Sequence, residues 1–398
     1  MKLTLLTNGL PPYVLGGMQT HSANMVKSLS RCGLELDVYH TPTMTEELPP
    51  QLFPPDVSSS VSLQQFAPPQ RRFHPGHYVA EAKELSCRYL DRFLSRPPTD
   101  VIYAKGLMAT SFLKARLRQN LSLPPIITNV HGYEPFQPAA TKKEYFKGVL
   151  LRQAFKYVID HSDYVVSYGG RITDLLGDRL GVSADRIIEI PGAVDEQFLT
   201  TPLPLEAERP RRFAFVGRYE RRKGLEELAQ VLHHGDMAEH EFHLVGPVPE
   251  SVVRQFPPTV NCHGTVSDRS RLIELLDSFD VLVCPSWSEG MPNVIMEAMA
   301  RNTAVVATDV GATCLLVDES NGHLVPPRNK TLLAQAIADL ARLDDEQLTT
   351  MKVNARCRIV ERFTWSTVGR QTVECLKAIT ADDTGTVNKN VAHTAAAK

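Results

Sequence analysis

The most restrictive feature of this chain is an alternation of short apolar runs with loops and helical segments. The opening run KLTLLT (2–7) indicates a strand, the residues at 8–18 a loop and those at 19–31 a helix, and ELDVYH (35–40) indicates the next strand. A strand, a helix and a second strand in this order form a parallel, right-handed βαβ unit. The pattern therefore predicts an α/β protein built on a doubly wound parallel sheet.

A second copy of this pattern begins near the middle of the chain. The run RFAFV (212–216) indicates a strand, and it leads through a basic loop into a helix from Leu225. The chain has 398 residues, which is more than one ordinary domain contains. We therefore expect two Rossmann-like domains, at 1–200 and 212–362, that face each other across a cleft and are joined by a linker at 201–211.

The charges of the chain are nearly balanced. Its 43 lysines and arginines are matched by 45 aspartates and glutamates, so no overall positive field favours nucleic acid as a partner. The seven cysteines are scattered and form no Cys-x-x-Cys pair, which favours a reducing compartment. The first residues lack the pattern of a signal peptide, and no uncharged apolar run reaches the roughly 18 residues of a membrane span. We expect a cytoplasmic protein.

Two segments lack the regular alternation. Eight prolines fall between Thr41 and Pro75, and they exclude a continuous helix or a central strand there. We expect a long, partly extended loop over 41–75, which could serve as a linker or a lid. The last residues, 381–398, have no apolar pattern, and we expect them to be disordered.

The segment 141–161 predicts a basic amphipathic helix. Its five lysines and arginines are interleaved with apolar residues, among them Tyr145, Phe146 and Leu150. The pattern favours a helix that packs on the core and has a solvated cationic face. The alternative is that 142–156 contacts an anionic membrane, with the protein peripheral on the inner membrane face.

The stretch CPSWSEGMPNVIMEAMA (284–300) places two carboxylates around a predicted helix start. It follows the strand-like run DVLV (280–283), and Pro292 stands where the helix would take its first residue. Glu289 then lies in the entry loop and Glu297 inside the helix. Amides at a helix N-terminus bind anions, and carboxylates accept hydrogen bonds from hydroxyl groups. The stretch predicts a pocket for an anionic, polyhydroxylated ligand, although an ordinary strand-loop-helix unit could carry two glutamates at this spacing.

The string SEGMPNVIMEA within this stretch resembles the Glu-x7-Glu signature of retaining glycosyltransferases with the two-domain GT-B fold, most closely glycosyltransferase family 4. The resemblance implies that Glu289 and the amides of Gly290 and Met291 hold the hydroxyl groups of a donor sugar. It also implies that Glu297 binds the ribose of the nucleotide. The remaining motif positions implied in donor binding are Pro292, Asn293 and Val294.

Two glycine-bounded loops match the same family. Gly217 and Arg218 open a Gly-Arg-x5-Gly loop, and Lys223 precedes its second glycine. Two cations ahead of a helix suit a pyrophosphate, and the resemblance implies that Arg218 and Lys223 bind the donor diphosphate. The pair Gly16-Gly17 before the first helix lets the backbone approach a phosphate closely. The resemblance assigns this pair to the donor diphosphate and sugar.

Further positions follow from the resemblance alone. His131 would lie near the reacting carbon of the donor, and Tyr133 and Glu134 would lie in the acceptor region. Gly264 ends one of the strands that would flank the nucleobase. The resemblance also makes contact with the acceptor an alternative role for the loop at 41–75. A last helix at 363–380 would cross back to the N-terminal domain.

The resemblance spans roughly 1–378 and implies the reaction. It implies retaining transfer of a hexose from a nucleotide sugar, a UDP-sugar before a GDP-sugar, to a carbohydrate or lipid-linked acceptor in the synthesis of cell-envelope polysaccharide or glycoconjugate. We expect no cofactor. The chain contains no Asp-x-Asp pair, and its four histidines between 233 and 243 fit no zinc spacing, so we expect no metal. Two alternatives stay open: a nucleotide-sugar 2-epimerase of the same fold, and a non-catalytic sugar-nucleotide binding protein.

Overall fold

The structure is a computed structural model that describes residues 1–14, 16–42, 52–70, 76–200, 209–234 and 239–382. In its N-terminal part the strands are β1 (Lys2–Leu6), β2 (Glu35–His40), β3 (Val61–Gln65), β4 (Val101–Lys105), β5 (Ile126–Asn129), β6 (Tyr164–Ser167) and β7 (Ile187–Glu189). The α-helices of this part are α1 (Gly17–Arg31), α2 (Pro55–Ser58), α3 (His77–Leu94), α4 (Thr110–Gln119), α5 (Lys142–His161) and α6 (Arg171–Asp174).

These seven strands form one parallel sheet in the order β3-β2-β1-β4-β5-β6-β7. The order reverses between β1 and β4, which pair directly, for example Leu5 with Tyr103. Open α/β sheets bind ligands at the carboxyl ends of the strands beside such a reversal. The fold therefore predicts a site near the ends of β1, β4 and β5.

The C-terminal part repeats this architecture. Its strands are β8 (Arg212–Val216), β9 (Glu241–Val245), β10 (Asn261–Gly264), β11 (Val281–Cys284), β12 (Ala304–Thr308) and β13 (Gly322–Val325). Its α-helices are α7 (Leu225–His234), α8 (Glu250–Val253), α9 (Arg269–Ser278), α10 (Asn293–Ala300), α11 (Thr313–Leu316), α12 (Lys330–Arg342), α13 (Asp345–Arg362) and α14 (Trp365–Asp382). The six strands form a second parallel sheet in the order β10-β9-β8-β11-β12-β13.

Each sheet is covered by apolar side chains on both faces. In β4, Ile102 and Ala104 join the core on one face, whereas Val101 and Tyr103 join the core on the other. Successive strand residues point to opposite faces, so a strand buried on both sides has to be apolar throughout. Each fully buried aliphatic side chain contributes about 1.5–3 kcal/mol to stability. The predicted α/β fold of two Rossmann-like, doubly wound domains is confirmed.

The last helix, α14, packs on the N-terminal domain. Trp365, Val368 and Leu376 belong to the core cluster that contains residues of β1 and β2. The Ser28 hydroxyl on α1 donates a hydrogen bond of 2.6 Å to the carbonyl of Trp365. The helix start is fixed by Thr364, whose hydroxyl accepts a hydrogen bond from the backbone N–H of Thr367. The chain therefore returns to its first domain after completing the second.

The expectation of an unbroken loop over 41–75 is wrong in its middle. β3 pairs with β2 and forms the edge of the sheet, with Val61 opposite Leu36. Its sequence, VSLQQ, lies between the prolines at 55 and 68 and contains none itself, so its N–H groups are free to pair on one side. Residues 43–51 and 71–75 of this segment lie outside the described residues.

Two predicted boundaries also shift. The linker predicted at 201–211 includes Arg211, but the side chain of this residue is fully buried and its guanidinium pairs with Asp345 at 2.6 Å. The C-terminal domain therefore includes Arg211, while 201–208 lie outside the described residues. The expected disordered tail began at 381, yet α14 continues to Asp382, and 383–398 are not described.

The first half of α5 leaves several apolar side chains exposed, which the expectation of a helix packed on the core does not include. Thr141 caps the helix by accepting a hydrogen bond from the backbone N–H of Glu144, and the buried residues of the helix all lie in its second half, from Phe155 onward. Four apolar side chains of the first half are 43–65% exposed, namely Tyr145, Phe146, Val149 and Leu150. Within the described part of the chain, none of the helices combines the length and apolarity needed to cross a membrane.

Candidate functional site

Glu289 lies in the loop that joins β11 to α10, at the carboxyl edge of the C-terminal sheet. Its side chain is 8% exposed. α10 begins at Asn293, so Pro292 precedes the helix and is not its first residue as predicted. The fixed φ of proline favours this extended approach to the helix start. Glu289 is therefore held close to the N-terminus of α10.

Two neighbouring cations pair with Glu289. Lys223 Nζ donates a hydrogen bond of 2.6 Å to Oε1, and Arg222 Nη1 lies 3.3 Å from Oε2. The Ser286 hydroxyl also donates to Oε1, at 2.7 Å. Burial alone would raise the pKa of Glu289, but the charges of Lys223 and Arg222 and the hydrogen bonds from Lys223 and Ser286 hold this pKa below its ordinary value. Glu289 is thus an ionised, fully hydrogen-bonded carboxylate.

Arg218 lies apart from this group. Its side chain is 73% exposed, and its guanidinium pairs with Glu220 at 3.0 Å. The structure therefore brings Lys223 to Glu289 but leaves Arg218 in solvent. Arg222, on the same 3-10 turn as Lys223, provides the second cation beside Glu289.

The N-termini of α1 and α10 face each other across the boundary between the domains. A methyl group on Gly17, the first residue of α1, would lie 3.7 Å from the side-chain nitrogen of Asn293. A methyl group on Gly290 would lie 3.0 Å from the Cα atom of Gly132, which leaves no room for a side chain. Gly16 precedes α1 in an extended conformation. Helix N-termini have free N–H groups and a partial positive charge, so this boundary favours an anion.

Glu297 is linked to the N-terminal domain by a chain of polar contacts. Its carboxylate lies 3.8 Å from Arg269 Nη1, and Arg269 also pairs with Asp195 at 3.2 Å. Asp195 in turn accepts a hydrogen bond of 3.2 Å from Asn24. Burial raises the pKa of Glu297 to about 7, with Arg269 opposing and Asp195 adding to the rise. Near neutral pH, Glu297 therefore changes its charge.

A small cavity lies beside Glu297 and Arg269, between the two domains. It has a volume of about 20 Å³ and is lined from both domains, by His21, Asn24, Arg269 and Glu297 among others. This volume holds about one water molecule. In this arrangement of the domains the cavity is too small for a nucleotide.

His131 lies just after β5 and has a left-handed backbone conformation, with φ of +66°. Its backbone N–H donates to the Asn129 side-chain oxygen at 2.8 Å, and its Nδ1 atom is hydrogen-bonded to the Tyr168 hydroxyl. Its Nε2 atom is buried and has no partner within the described structure. Burial and, secondarily, the charge of Lys105 hold the pKa of His131 well below its usual range. His131 is therefore neutral.

The resemblance places Tyr133 in the acceptor region, but the structure puts its side chain in the core of the N-terminal domain. This side chain is fully buried, and its hydroxyl donates a hydrogen bond of 2.6 Å to the carbonyl of Val166. Glu134, in contrast, is exposed, and its carboxylate lies so close to Gly132 that a methyl group there would collide with it.

The remaining predicted donor residues lie on the same edge of the C-terminal sheet. Gly217 follows β8 and donates its N–H to the carbonyl of Val245 at 2.9 Å. Gly264 has φ of +65°, and nothing lies within 4 Å of the position that its side chain would take. This open edge suits a flat group such as a base. Just before α10, Met291 and Pro292 are buried, and Val294 in its first turn is half-buried.

Three residues beside the two glutamates are not among the predicted site residues, namely Arg222, Arg269 and Asp195. The run RRK at 221–223 could have indicated Arg222, because its three neighbouring cations are all candidates to pair with Glu289. Nothing local marks Arg269 or Asp195, because their contact joins segments that are 74 positions apart. Within the residues that the structure describes, no three His, Cys, Asp or Glu side chains are grouped so as to hold a metal ion.

Two family models match the chain. The model described as Glycosyltransferase Family 4 matches residues 15–198, and the model described as Glycosyl transferases group 1 matches residues 210–342. Together they cover most of both domains. A relative, the alpha-maltose-1-phosphate synthase of Mycolicibacterium smegmatis, is 26% identical over 424 positions, which cover 96% of this chain and 100% of the relative.

Solved structures with the same architecture cover nearly the whole chain. The sucrose-phosphate synthase of Thermosynechococcus elongatus has a TM-score of 0.78 at 20% identity, covering 96% of this chain and 99% of its own. HepE of Anabaena, solved in complex with UDP and glucose, has a TM-score of 0.66 at 17% identity and covers 95% of this chain and 100% of its own. These likenesses establish the GT-B fold. With both family models matched in order, the chain belongs to the group 1 glycosyltransferases of the family 4 type.

Proposed function

We propose that this glycosyltransferase moves a hexose from a nucleotide sugar, a UDP-sugar ahead of a GDP-sugar, to a hydroxyl group of a carbohydrate or lipid-linked acceptor, with retention of the anomeric configuration. The observation that carries the proposal is the group of Glu289, Arg222 and Lys223 beside the N-terminus of α10. Fixed cations, an ionised carboxylate and helix amides are the groups that a sugar diphosphate needs. The complex of HepE, a protein of the same fold, with UDP and glucose supports a UDP-sugar as the first choice.

In the proposed complex, the donor diphosphate lies between the N-termini of α1 and α10. Lys223 neutralises the negative charge that builds on the leaving diphosphate, and Arg218 reaches it from solvent. The Gly290 and Met291 amides and Glu289 hold the sugar. Glu297 accepts hydrogen bonds from the ribose.

Glu289 is proposed as a positioning residue. One of its oxygens accepts hydrogen bonds from Lys223 and Ser286, and the other faces Arg222. A carboxylate held in this way has a lowered pKa and is a poor nucleophile, unlike the second carboxylate of a retaining glycosidase. Retention then requires attack from the face of the leaving group, with a diphosphate oxygen taking the proton of the acceptor hydroxyl.

Metal independence is part of the same proposal. The helix N-termini and Lys223 supply the positive charge that a divalent ion supplies in other transferases. Chelation with EDTA should therefore leave the transfer rate nearly unchanged. Loss of activity in EDTA that one specific divalent metal restores would contradict this part of the proposal.

The exposed apolar face of α5 supports a lipid-linked acceptor. Phe146 and Leu150 are 65% and 57% exposed, and lysines at 142, 143 and 147 lie on the same helix half. Apolar residues beside lysines suit the surface of an anionic bilayer. We propose that the protein is cytoplasmic and touches the inner membrane face through 142–156.

A panel of UDP-, GDP- and ADP-sugars tests the donor assignment. A donor at a hundred times its dissociation constant stabilises the folded state by about 2.7 kcal/mol, so the melting temperature should rise with one base in particular. A protein that no nucleotide sugar stabilises would refute the proposal. Turnover of the donor to its epimer without an acceptor would favour the 2-epimerase, and donor binding without turnover on any acceptor would favour a non-catalytic binding protein.

A further inference from the structure

A buried lysine without a counter-ion lies beside the site. Lys105, the last residue of β4, is 1% exposed. Its Nζ atom lies 3.1 Å from His21 Nδ1 and 5.0 Å from the centre of the Tyr103 ring, and none of the carboxylates that the structure describes pairs with it. Burial lowers the pKa of Lys105 to about 7. An ammonium group this deep is costly unless an anion accompanies it.

Two unpaired nitrogen atoms adjoin the same histidine. The His21 ring lies 5.4 Å from the ring of His131 and 5.1 Å from that of Trp365, measured between centroids. His131 Nε2 and Trp365 Nε1 are both buried and have no hydrogen-bond partner in the described part of the chain. Buried polar atoms are nearly always hydrogen-bonded in folded proteins. Trp365 Nε1 can only donate, so it lacks a hydrogen-bond acceptor. His131 Nε2 lacks an acceptor as well in the tautomer in which the Tyr168 hydroxyl donates to Nδ1.

We infer that Lys105, with His131 and Trp365, forms a subsite for an anionic oxygen group, a phosphate or a carboxylate, on the acceptor. The inference rests on the proposed transferase function and extends it to the acceptor. The family resemblance implies that the N-terminal domain is the acceptor side, and Lys105 and His131 belong to this domain. The cations that suit the donor diphosphate, Arg222 and Lys223, belong to the other domain and pair with Glu289.

Two carboxylates line the same cavity as His21, but they face Arg269 and do not pair with Lys105. Asp195 and Glu297 both face Arg269, at 3.2 and 3.8 Å. The cavity of about 20 Å³ is lined by His21 and Trp365 and is too small for a phosphate, so the proposed subsite requires the domains to separate before the anion binds.

Phosphate binding by the full-length chain tests the subsite. Inorganic phosphate is titrated calorimetrically into the wild type and Lys105→Met, both saturated with UDP so that the donor side is filled. We expect the dissociation constant for phosphate to rise about tenfold or more in the variant, the loss for one charged hydrogen bond. Equal phosphate affinity in the two proteins, or no binding in the wild type, would overturn the inference. UDP affinity is measured first in each protein, and a failure there would count against the proposed function instead.

A stability comparison provides an independent check. Lys352 is also buried but pairs with Asp280 at 2.9 Å, so Lys352→Met is the matched control. Lys105→Met should melt at the temperature of the wild type or above it, because it removes a buried charge and strands only the uncharged His21 Nδ1 atom, not a counter-ion. Lys352→Met should melt lower, since it leaves Asp280 without its cation. A drop in Lys105→Met as large as that in Lys352→Met would mean that Lys105 has a counter-ion within the protein, which would overturn the inference.

Discussion

At the scale of single residues, Glu289 and Glu297 have opposite electrostatic surroundings although one helix start holds both. Glu289 faces Lys223 and Arg222 at 2.6 and 3.3 Å, and these charges outweigh its burial. Glu297 faces one arginine at 3.8 Å, and here burial prevails and raises the pKa to about 7. Glu289 has two cations, of which the nearer is about an ångström closer than the single arginine beside Glu297. Glu289 therefore stays ionised, whereas Glu297 titrates near neutral pH.

Replacement of Glu297 by Gln should stabilise the protein at alkaline pH. The folded-state pKa of Glu297 is about 7, above the unfolded value of about 4.3. Its contribution to stability is therefore complete below the unfolded pKa and is lost as pH rises through 7. The variant does not titrate, so its advantage over the wild type should grow to about 1–3 kcal/mol by pH 8, as measured by urea unfolding. A difference that is the same at pH 5 and pH 8 would contradict the raised pKa.

The two predicted cations should matter mainly in the transition state. Lys223→Ala and Arg218→Ala should each lower kcat more than they raise KM for the donor, because charge grows on the diphosphate as the bond breaks. The loss should be larger for Lys223, which is already fixed beside Glu289, than for Arg218, which is 73% exposed. Steady-state kinetics with the preferred donor measures both effects. A change in KM alone would place these residues in ground-state binding.

At the scale of elements, the strands and helices could be predicted wherever an apolar run was followed by a clear loop. β1, β4 and β11 are such runs. β3 was not predicted because prolines flank it on both sides. An edge strand pairs with a neighbour on one side only, so a short and largely polar run is enough to form it. The position of α5 was predicted correctly, but the exposure of its apolar side chains was not. Helical periodicity shows that a helix has an apolar stripe, but not whether this stripe packs on the protein or on another surface.

The exposed stripe of α5 should bind anionic vesicles. Phe146→Glu and Leu150→Glu should each weaken binding about tenfold or more, because each removes an apolar side chain from the bilayer and adds a negative charge. Leu117 on α4 is equally exposed, at 57%, and Leu117→Glu is the control. Co-sedimentation with vesicles at low and high salt gives the result. Absence of wild-type binding at low salt would favour a soluble acceptor.

At the scale of the whole molecule, the two domains are in direct contact. Gln137 of the N-terminal domain donates a hydrogen bond of 2.6 Å to the carbonyl of Glu289, and Arg171 pairs with Asp309 at 2.6 Å. The resemblance assigns Gly17 and Gly290 to the donor, and the structure places both at this boundary. The partners of Glu297 could not be predicted, because the contact between Arg269 and Asp195 joins the two domains and no local sequence pattern marks it.

The central claim is that a nucleotide binds between the domains and that Glu297 holds its ribose without help from a metal. Calorimetric titration of UDP in EDTA, into the wild type, Glu297→Ala and the exposed control Glu274→Ala, tests it most directly. We predict that UDP binds the wild type and the control alike and binds Glu297→Ala about 1.5–3 kcal/mol more weakly, the range for a hydrogen bond to a charged group. Equal affinity in Glu297→Ala, or the absence of any binding of UDP or GDP in EDTA, would contradict the account.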